Sequence, residues 1–134
     1  MNRTAHTASD ASTRRLHSLS LFVGLVLFVH GAIHLMGVML LLEWGEPGEL
    51  TYADAWPEPG TALAVLFALL WATVAVLFAY GGFRVIRGQV LIWPIAIAAV
   101  VSIVVIAPVV SAAPAGLILS VLALIGALVY GRRR

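Results

Sequence analysis

Four long apolar stretches dominate the chain and are separated by short polar segments. They contain no Asp, Glu, Lys or Arg and run over 21–42, 61–83, 90–110 and 112–130. At about 1.5 Å rise per residue, a helix of each length matches roughly 30 Å of bilayer hydrocarbon. The pattern therefore predicts an all-α integral membrane protein. It would be a four-helix bundle with spans at about 20–42, 61–82, 89–110 and 113–131.

The third and fourth stretches need a break between them, because no charged residue occurs from 90 to 130. One helix of that length would reach about 60 Å, twice the thickness of the hydrocarbon. Pro108 and Pro114 remove backbone donors and clash with the preceding turn, and Ser111 can cap a following helix. The sequence therefore predicts a tight hairpin over 111–114.

Composition agrees with a membrane location. Of the 134 residues, 62% are hydrophobic and only 10% are charged, and the mean hydropathy is +1.05, unlike an average soluble domain. The absence of cysteine excludes disulfides, thiolate metal ligands and cysteine nucleophiles. The length fits one transmembrane domain over 18–134, and the polar residues 1–17 are predicted to form a disordered cytoplasmic lead.

The charged residues divide between the two sides of the predicted bundle. All eight basic residues are arginines that lie before the first span, between the second and third, or after the fourth: Arg3, Arg14, Arg15, Arg84, Arg87, Arg132, Arg133 and Arg134. The loop 43–59 is acidic and carries no basic residue. Because arginine-rich segments stay in the cytoplasm, both termini are predicted to be cytoplasmic and the acidic loop external, in the cell inner membrane.

His30 and His34 stand one helical turn apart within the first apolar stretch and form the candidate site. At 100° per residue, an arc of about 140° holds the pair together with Gly24, Leu27, Gly31 and Gly37. We call these six residues the Gly/His face. Small residues let helices approach closely in lipid, and imidazoles there need polar partners. The face is therefore predicted to contact protein, with its three glycines packing against another helix.

Three hydroxyl side chains on the other spans are predicted to join the histidines in a polar seam. Thr73 and Trp71 of the second span should lie near the midplane, where the first histidine lies. Ser102 of the third span and Ser120 of the fourth should lie at about the depth of His34.

The residues leave several roles open for the histidine pair. Neutral imidazoles can bond Ser or Thr across helices and hold a bundle together. The pair could ligate a metal, although zinc takes four ligands and a second chain would have to supply the others. Haem held by two histidines needs them on opposite sides of its plane, which again requires an oligomer. Proton relay, or binding of a quinone-like molecule, is a further interpretation.

No motif points to catalysis, and no catalytic residue is assigned. The chain has no Gly-Lys-Ser phosphate loop, no Gly-x-Ser-x-Gly elbow and no basic surface large enough for nucleic acid. Every acid lies outside the predicted spans, which excludes a drug/proton exchanger that depends on an intramembrane carboxylate.

The motif His30-Gly31-Ala32-Ile33-His34-Leu35-Met36-Gly37 resembles a His-Gly-x-Ile-His-Leu-x-Gly pattern in the first helix of small uncharacterised bacterial four-helix membrane proteins. Pro59-Gly60, Trp93 and Ala115-Gly116, near the starts of the later spans, are similar as well. The resemblance implies a four-helix membrane fold without an assigned function, although some members are labelled permeases. The chain departs from the pattern at Ser120, where an Asn is expected.

A second resemblance is to DoxX-like four-helix proteins. Their first helix carries a Gly-x-x-Lys-Leu segment, and His34-Leu35 stands at the matching place in this chain. That resemblance implies a redox-linked or quinol-associated accessory role, with a histidine where the family has lysine.

The sequence as a whole predicts a small multi-pass membrane protein that acts as a non-enzymatic accessory or assembly component through its Gly/His face. Its partners would be the lipid bilayer and either copies of itself or a larger membrane complex, and no cofactor is predicted. One alternative is a ligand or redox module in which His30 and His34 bind a metal, haem or quinone. Another is a small transporter or permease component, although three hydroxyls are few to line a hydrated path.

Overall fold

A computed structural model describes residues 3–46, 51–109 and 114–132. Within those ranges the chain is all-helical, which confirms the all-α part of the prediction, and its four α-helices are α1 Arg3–Leu41, α2 Ala62–Ile86, α3 Ile92–Ile106 and α4 Pro114–Gly131. Short 3-10 turns occur at Tyr52–Asp54 and Ala107–Val109. Three helical segments are long and apolar enough to cross a membrane: His17–Leu41, Ala62–Ile86 and Pro114–Gly131.

Helix α1 extends further toward the N-terminus than the sequence predicts. It is continuous from Arg3, so the segment 1–17, predicted to be a disordered lead, is helical over its described part. No Gly or Pro occurs from residue 3 to residue 23, so the backbone carries no helix breaker before the apolar stretch. After Leu41, Glu43 adopts a left-handed φ of 57° and Trp44 N–H donates to the Met39 carbonyl at 2.9 Å, which ends the helix.

Local hydrogen bonds define both ends of α2. The Thr61 hydroxyl accepts a hydrogen bond from the Ala64 backbone N–H at 3.1 Å and caps the first turn. At the other end Gly88 has a φ of 71°, and Gln89 N–H donates to the Arg84 carbonyl at 2.8 Å. The helix therefore runs past residue 82, the predicted end of the span, and carries Arg84 in its last turn.

Helix α3 is shorter than the predicted span 89–110. It begins at Ile92, with Pro94 in the first turn, where a missing N–H removes no helical hydrogen bond. The α-helix ends at Ile106, and the chain continues as the 3-10 turn Ala107–Val109. Together the two segments extend about 28 Å. The predicted hairpin lies outside the described residues except for Pro114, which begins α4.

The closest helix pair is α1 with α2, at the glycines of the Gly/His face. A Cβ atom on Gly24 would lie 2.6 Å from the Gly82 carbonyl oxygen, and one on Gly31 would lie 2.8 Å from a backbone oxygen of α2. A Cβ atom on Gly37 would overlap the Trp71 ring. All six residues of the face are buried. The three glycines thus lie where α1 approaches α2, and the Gly/His face is occupied within the chain itself.

Each of the later helices packs mainly against its neighbour in the sequence. Helix α2 packs against α3, and α3 packs against α4, whereas α1 and α4 touch only slightly. In α4 only Ser120 and Ala127 are buried. The polar contacts between α1 and α4 consequently matter for closing the bundle.

Candidate functional site

His30 and His34 lie inside the bundle, with only 2% and 1% of their surfaces exposed. Their ring centroids are 4.7 Å apart, and the Trp71 ring of α2 lies 5.1 Å from the His34 ring. Phe78, two turns after Trp71 on α2, lies 4.8 Å from His30. We call Trp71, His34 and His30 the ring row.

The Nε2 atom of each histidine contacts a serine on another helix. His30 Nε2 lies 3.1 Å from Ser120 Oγ on α4, and His34 Nε2 lies 2.7 Å from Ser102 Oγ on α3. The two serine oxygens are 2.6 Å apart, and Ser120 also donates to the Gly116 carbonyl at 2.9 Å. Both serines are fully buried. These four side chains form one continuous hydrogen-bonded chain across α1, α3 and α4, which we call the His–Ser network.

Counting protons shows which tautomer of the two histidines satisfies all four hydrogen bonds at once. The single hydroxyl proton of Ser120 is used on the Gly116 carbonyl, so Ser102 must donate to Ser120. Neither serine then has a proton left for an imidazole. Both rings must therefore donate through Nε2–H if all four hydrogen bonds exist together. In a neutral imidazole this places an unprotonated lone pair on Nδ1.

Three ring nitrogens in the row have no protein partner. Among the residues that the structure describes, His30 Nδ1, His34 Nδ1 and Trp71 Nε1 are buried without a hydrogen bond. With both imidazoles protonated at Nε2, the two Nδ1 atoms are acceptors, whereas the indole N–H is a donor. The site therefore has two unused acceptors and one unused donor in adjacent rings.

The structure brings together four of the five residues predicted for the polar seam. Ser102 and Ser120 both reach the histidines, whereas Thr73 is exposed and donates to the Leu69 carbonyl of its own helix at 2.8 Å. Counting residues from the interface gives height along a helix but not rotation about its axis. Phe78 and the Gly116 carbonyl were not predicted, although Trp71 and Phe78 lie seven residues apart, on one helical face.

The residues fit haem and zinc poorly. Neighbouring rings on one helix, with centroids 4.7 Å apart, cannot stand on opposite sides of one porphyrin. In the described part of the chain, no three His, Asp or Glu side chains cluster in a way that could hold a metal ion.

Comparison with protein families, curated proteins and solved structures finds no match to this chain. The two resemblances drawn from the first-helix motif stay predictions.

Proposed function

We propose that this chain is a four-span protein of the plasma membrane, with both termini in the cytoplasm, and that it is a non-enzymatic accessory or assembly component. The observation that carries this proposal is the His–Ser network, which joins the buried side-chain hydroxyls to both imidazoles within an apolar bundle. Such interhelical bonds between polar residues stabilise bundles in lipid, where apolar contacts give no hydrophobic driving force between helices.

The distribution of charge along the helices supports the proposed orientation. Arg84 and Arg87 lie at the C-terminal end of α2, and Arg132 directly follows α4. Glu43 and Glu58 lie in the connection between α1 and α2, at the N-terminal end of α2. This arrangement agrees with the rule that arginine-rich ends stay in the cytoplasm. A combined length of about 28 Å for α3 and its 3-10 turn is compatible with a fourth span.

Cysteine labelling tests this topology, because the chain has no cysteine of its own. Glu46→Cys is expected to react with a membrane-impermeant maleimide in intact cells. Gln89→Cys, at a position that follows α2, is expected to react only after the membrane is permeabilised. Labelling of Gln89→Cys in intact cells, with Glu46→Cys protected, would reverse the proposed orientation.

Association with a partner would use a surface other than the Gly/His face, because that face is already packed against α2. Helix α4 has the smallest buried share of the membrane-length helices, since only Ser120 and Ala127 are buried. The proposed partners are therefore lipid, a second copy or a larger membrane complex that contacts the outer side of α4. A transporter role has less support, because Ser102 and Ser120 have no exposed surface and bond to each other.

The double variant His30→Leu, His34→Leu tests the accessory role against a cofactor-binding role. We expect the variant to unfold more easily than the wild type in detergent, because both serines lose a donor. We also expect its ultraviolet-visible spectrum and its metal content per chain to equal those of the wild type.

His17→Leu is the matched control, because His17 is an exposed histidine on the same helix. It should change neither stability nor spectrum. A haem band or near-stoichiometric metal in the wild type that disappears in the double variant would refute the accessory role. It would establish a ligand or redox module in its place.

A further inference from the structure

The three unpartnered nitrogens of the ring row require an explanation beyond helix packing. A buried polar atom left without a hydrogen bond costs about 1–3 kcal/mol, and such atoms are rare in native interiors. Here they occur together, in rings whose centroids are 4.7 and 5.1 Å apart. Unused donor and acceptor groups in neighbouring rings are groups that a single polar molecule between the rings would satisfy.

The unused atoms are also separate from the His–Ser network. That network occupies Nε2 of each histidine, while the opposite ring nitrogen, Nδ1, is unused. A ligand on the Nδ1 side therefore leaves all four network hydrogen bonds in place. The two functions of the histidines can be tested independently for this reason.

We propose that the ring row binds a neutral molecule through a hydroxyl group, which donates to Nδ1 of His34, the imidazole beside Trp71, and accepts from the Trp71 indole N–H. Only a group that both donates and accepts satisfies this set, and a hydroxyl does so with a single oxygen. A carbonyl can serve Trp71 but cannot donate to a lone pair on Nδ1.

Charge also favours a neutral ligand. The described acids lie in the first turns of α1 or in the connection between α1 and α2, and none lies within the apolar segments of the helices. A bound cation would thus have no nearby opposite charge in a low-dielectric interior, which is costly. An anion would be repelled by the lone pairs of the two Nδ1 atoms and would find one donor, the Trp71 indole N–H.

Two sources supply the same O–H chemistry. An internal water is the smallest, and its two protons could serve both Nδ1 atoms while its oxygen accepts from Trp71. An alcohol dissolved in the bilayer has one hydroxyl proton and would serve His34 Nδ1 alone.

Two substitutions of His34 test the roles of its two ring nitrogens separately. The Gln amide reaches about as far as Nε2, so His34→Gln keeps a donor for Ser102 and removes the Nδ1 acceptor. The Asn amide lies near the position of Nδ1, so His34→Asn keeps an acceptor there and loses the contact with Ser102. The site proposal predicts loss of the ligand from His34→Gln only, whereas the network predicts the larger loss of stability in His34→Asn.

The test is nuclear magnetic resonance of the full chain in lipid nanodiscs, read at the indole N–H of Trp71. The chain has four tryptophans, and Trp71→Phe identifies the relevant signal by its loss. We expect a through-space cross-peak from this proton to a hydroxyl proton in the wild type and in His34→Asn, and its disappearance in His34→Gln.

The frequency of the partner proton identifies the molecule that is bound. A partner proton at the water frequency indicates internal water. Partner protons on carbon, with an alcohol recovered in the organic extract of the purified protein, indicate a bilayer-derived ligand. Absence of any such cross-peak in the wild type would overturn the proposal even if neither His34 variant folds. A cross-peak that persists in a folded His34→Gln would overturn it as well.

Discussion

Replacing Ser120 with alanine is expected to lower the free energy of unfolding by about 2 kcal/mol, the largest loss for any single polar group in the bundle. The Ser120 hydroxyl contacts His30 and Ser102 and donates to the Gly116 carbonyl. Its removal leaves the His30 Nε2–H and the Ser102 O–H without their acceptor. It also cuts the polar link between α1 and α4, which have few other contacts.

Unfolding by increasing sodium dodecyl sulfate in mixed micelles measures this loss. Thr73→Val is the control, because it also deletes one hydroxyl, but an exposed one that bonds to its own helix. It should change stability by no more than about 0.5 kcal/mol. Equal losses for the two variants would mean that the His–Ser network does not hold the bundle together.

Gly24→Ala is expected to destabilise the bundle by about 1–3 kcal/mol, through overpacking of α1 against α2. The new methyl group would lie 2.6 Å from the Gly82 carbonyl oxygen and 2.5 Å from Ile86 Cγ1. The contact is reciprocal, since a Cβ atom on Gly82 would lie 2.5 Å from the Gly24 oxygen. A rotation of Ile86 can relieve only its own contact, because the carbonyl oxygen of Gly82 belongs to the backbone.

Gly126→Ala on α4 is the matched control for this substitution. A Cβ atom there would meet no atom within 4 Å, and alanine favours a helix over glycine by about 1 kcal/mol. Its stability in the same detergent titration should equal or exceed that of the wild type. An unchanged stability for Gly24→Ala would show that α1 and α2 can separate without loss.

The Ser120→Ala and Gly24→Ala variants would distinguish two contributions to the stability of the bundle, hydrogen bonding and close packing. In lipid the helices gain little from burying apolar surface against one another, so close packing and interhelical hydrogen bonds must hold them together. Gly24→Ala disturbs the packing of α1 on α2 and leaves the His–Ser network intact. Ser120→Ala leaves that interface intact and disturbs the network. Additive losses in the double variant would show that the two contacts act independently.

The sequence predicted the contacts of α1 better than those of α2. His30, His34 and the three glycines share one arc of a single helix, so a repeat of 3.6 residues per turn is enough to group them. Thr73 was assigned to the same seam by its height alone, and the structure turns it outward. In a helix that is apolar all round, the lipid-facing and protein-facing sides look alike in sequence.

Length, hydropathy and charge in the sequence by themselves determined the all-helical class, the helix count and the face of α1 that lies inside. These properties depend on distances along one chain segment, which helical geometry converts directly into space. Only the tertiary structure decided which serine meets which histidine, and that the Nε2 atoms are used while the Nδ1 atoms and the Trp71 N–H are not. Those pairings depend on the rotation of α2, α3 and α4 about their own axes, which is set by side-chain packing between helices distant in sequence.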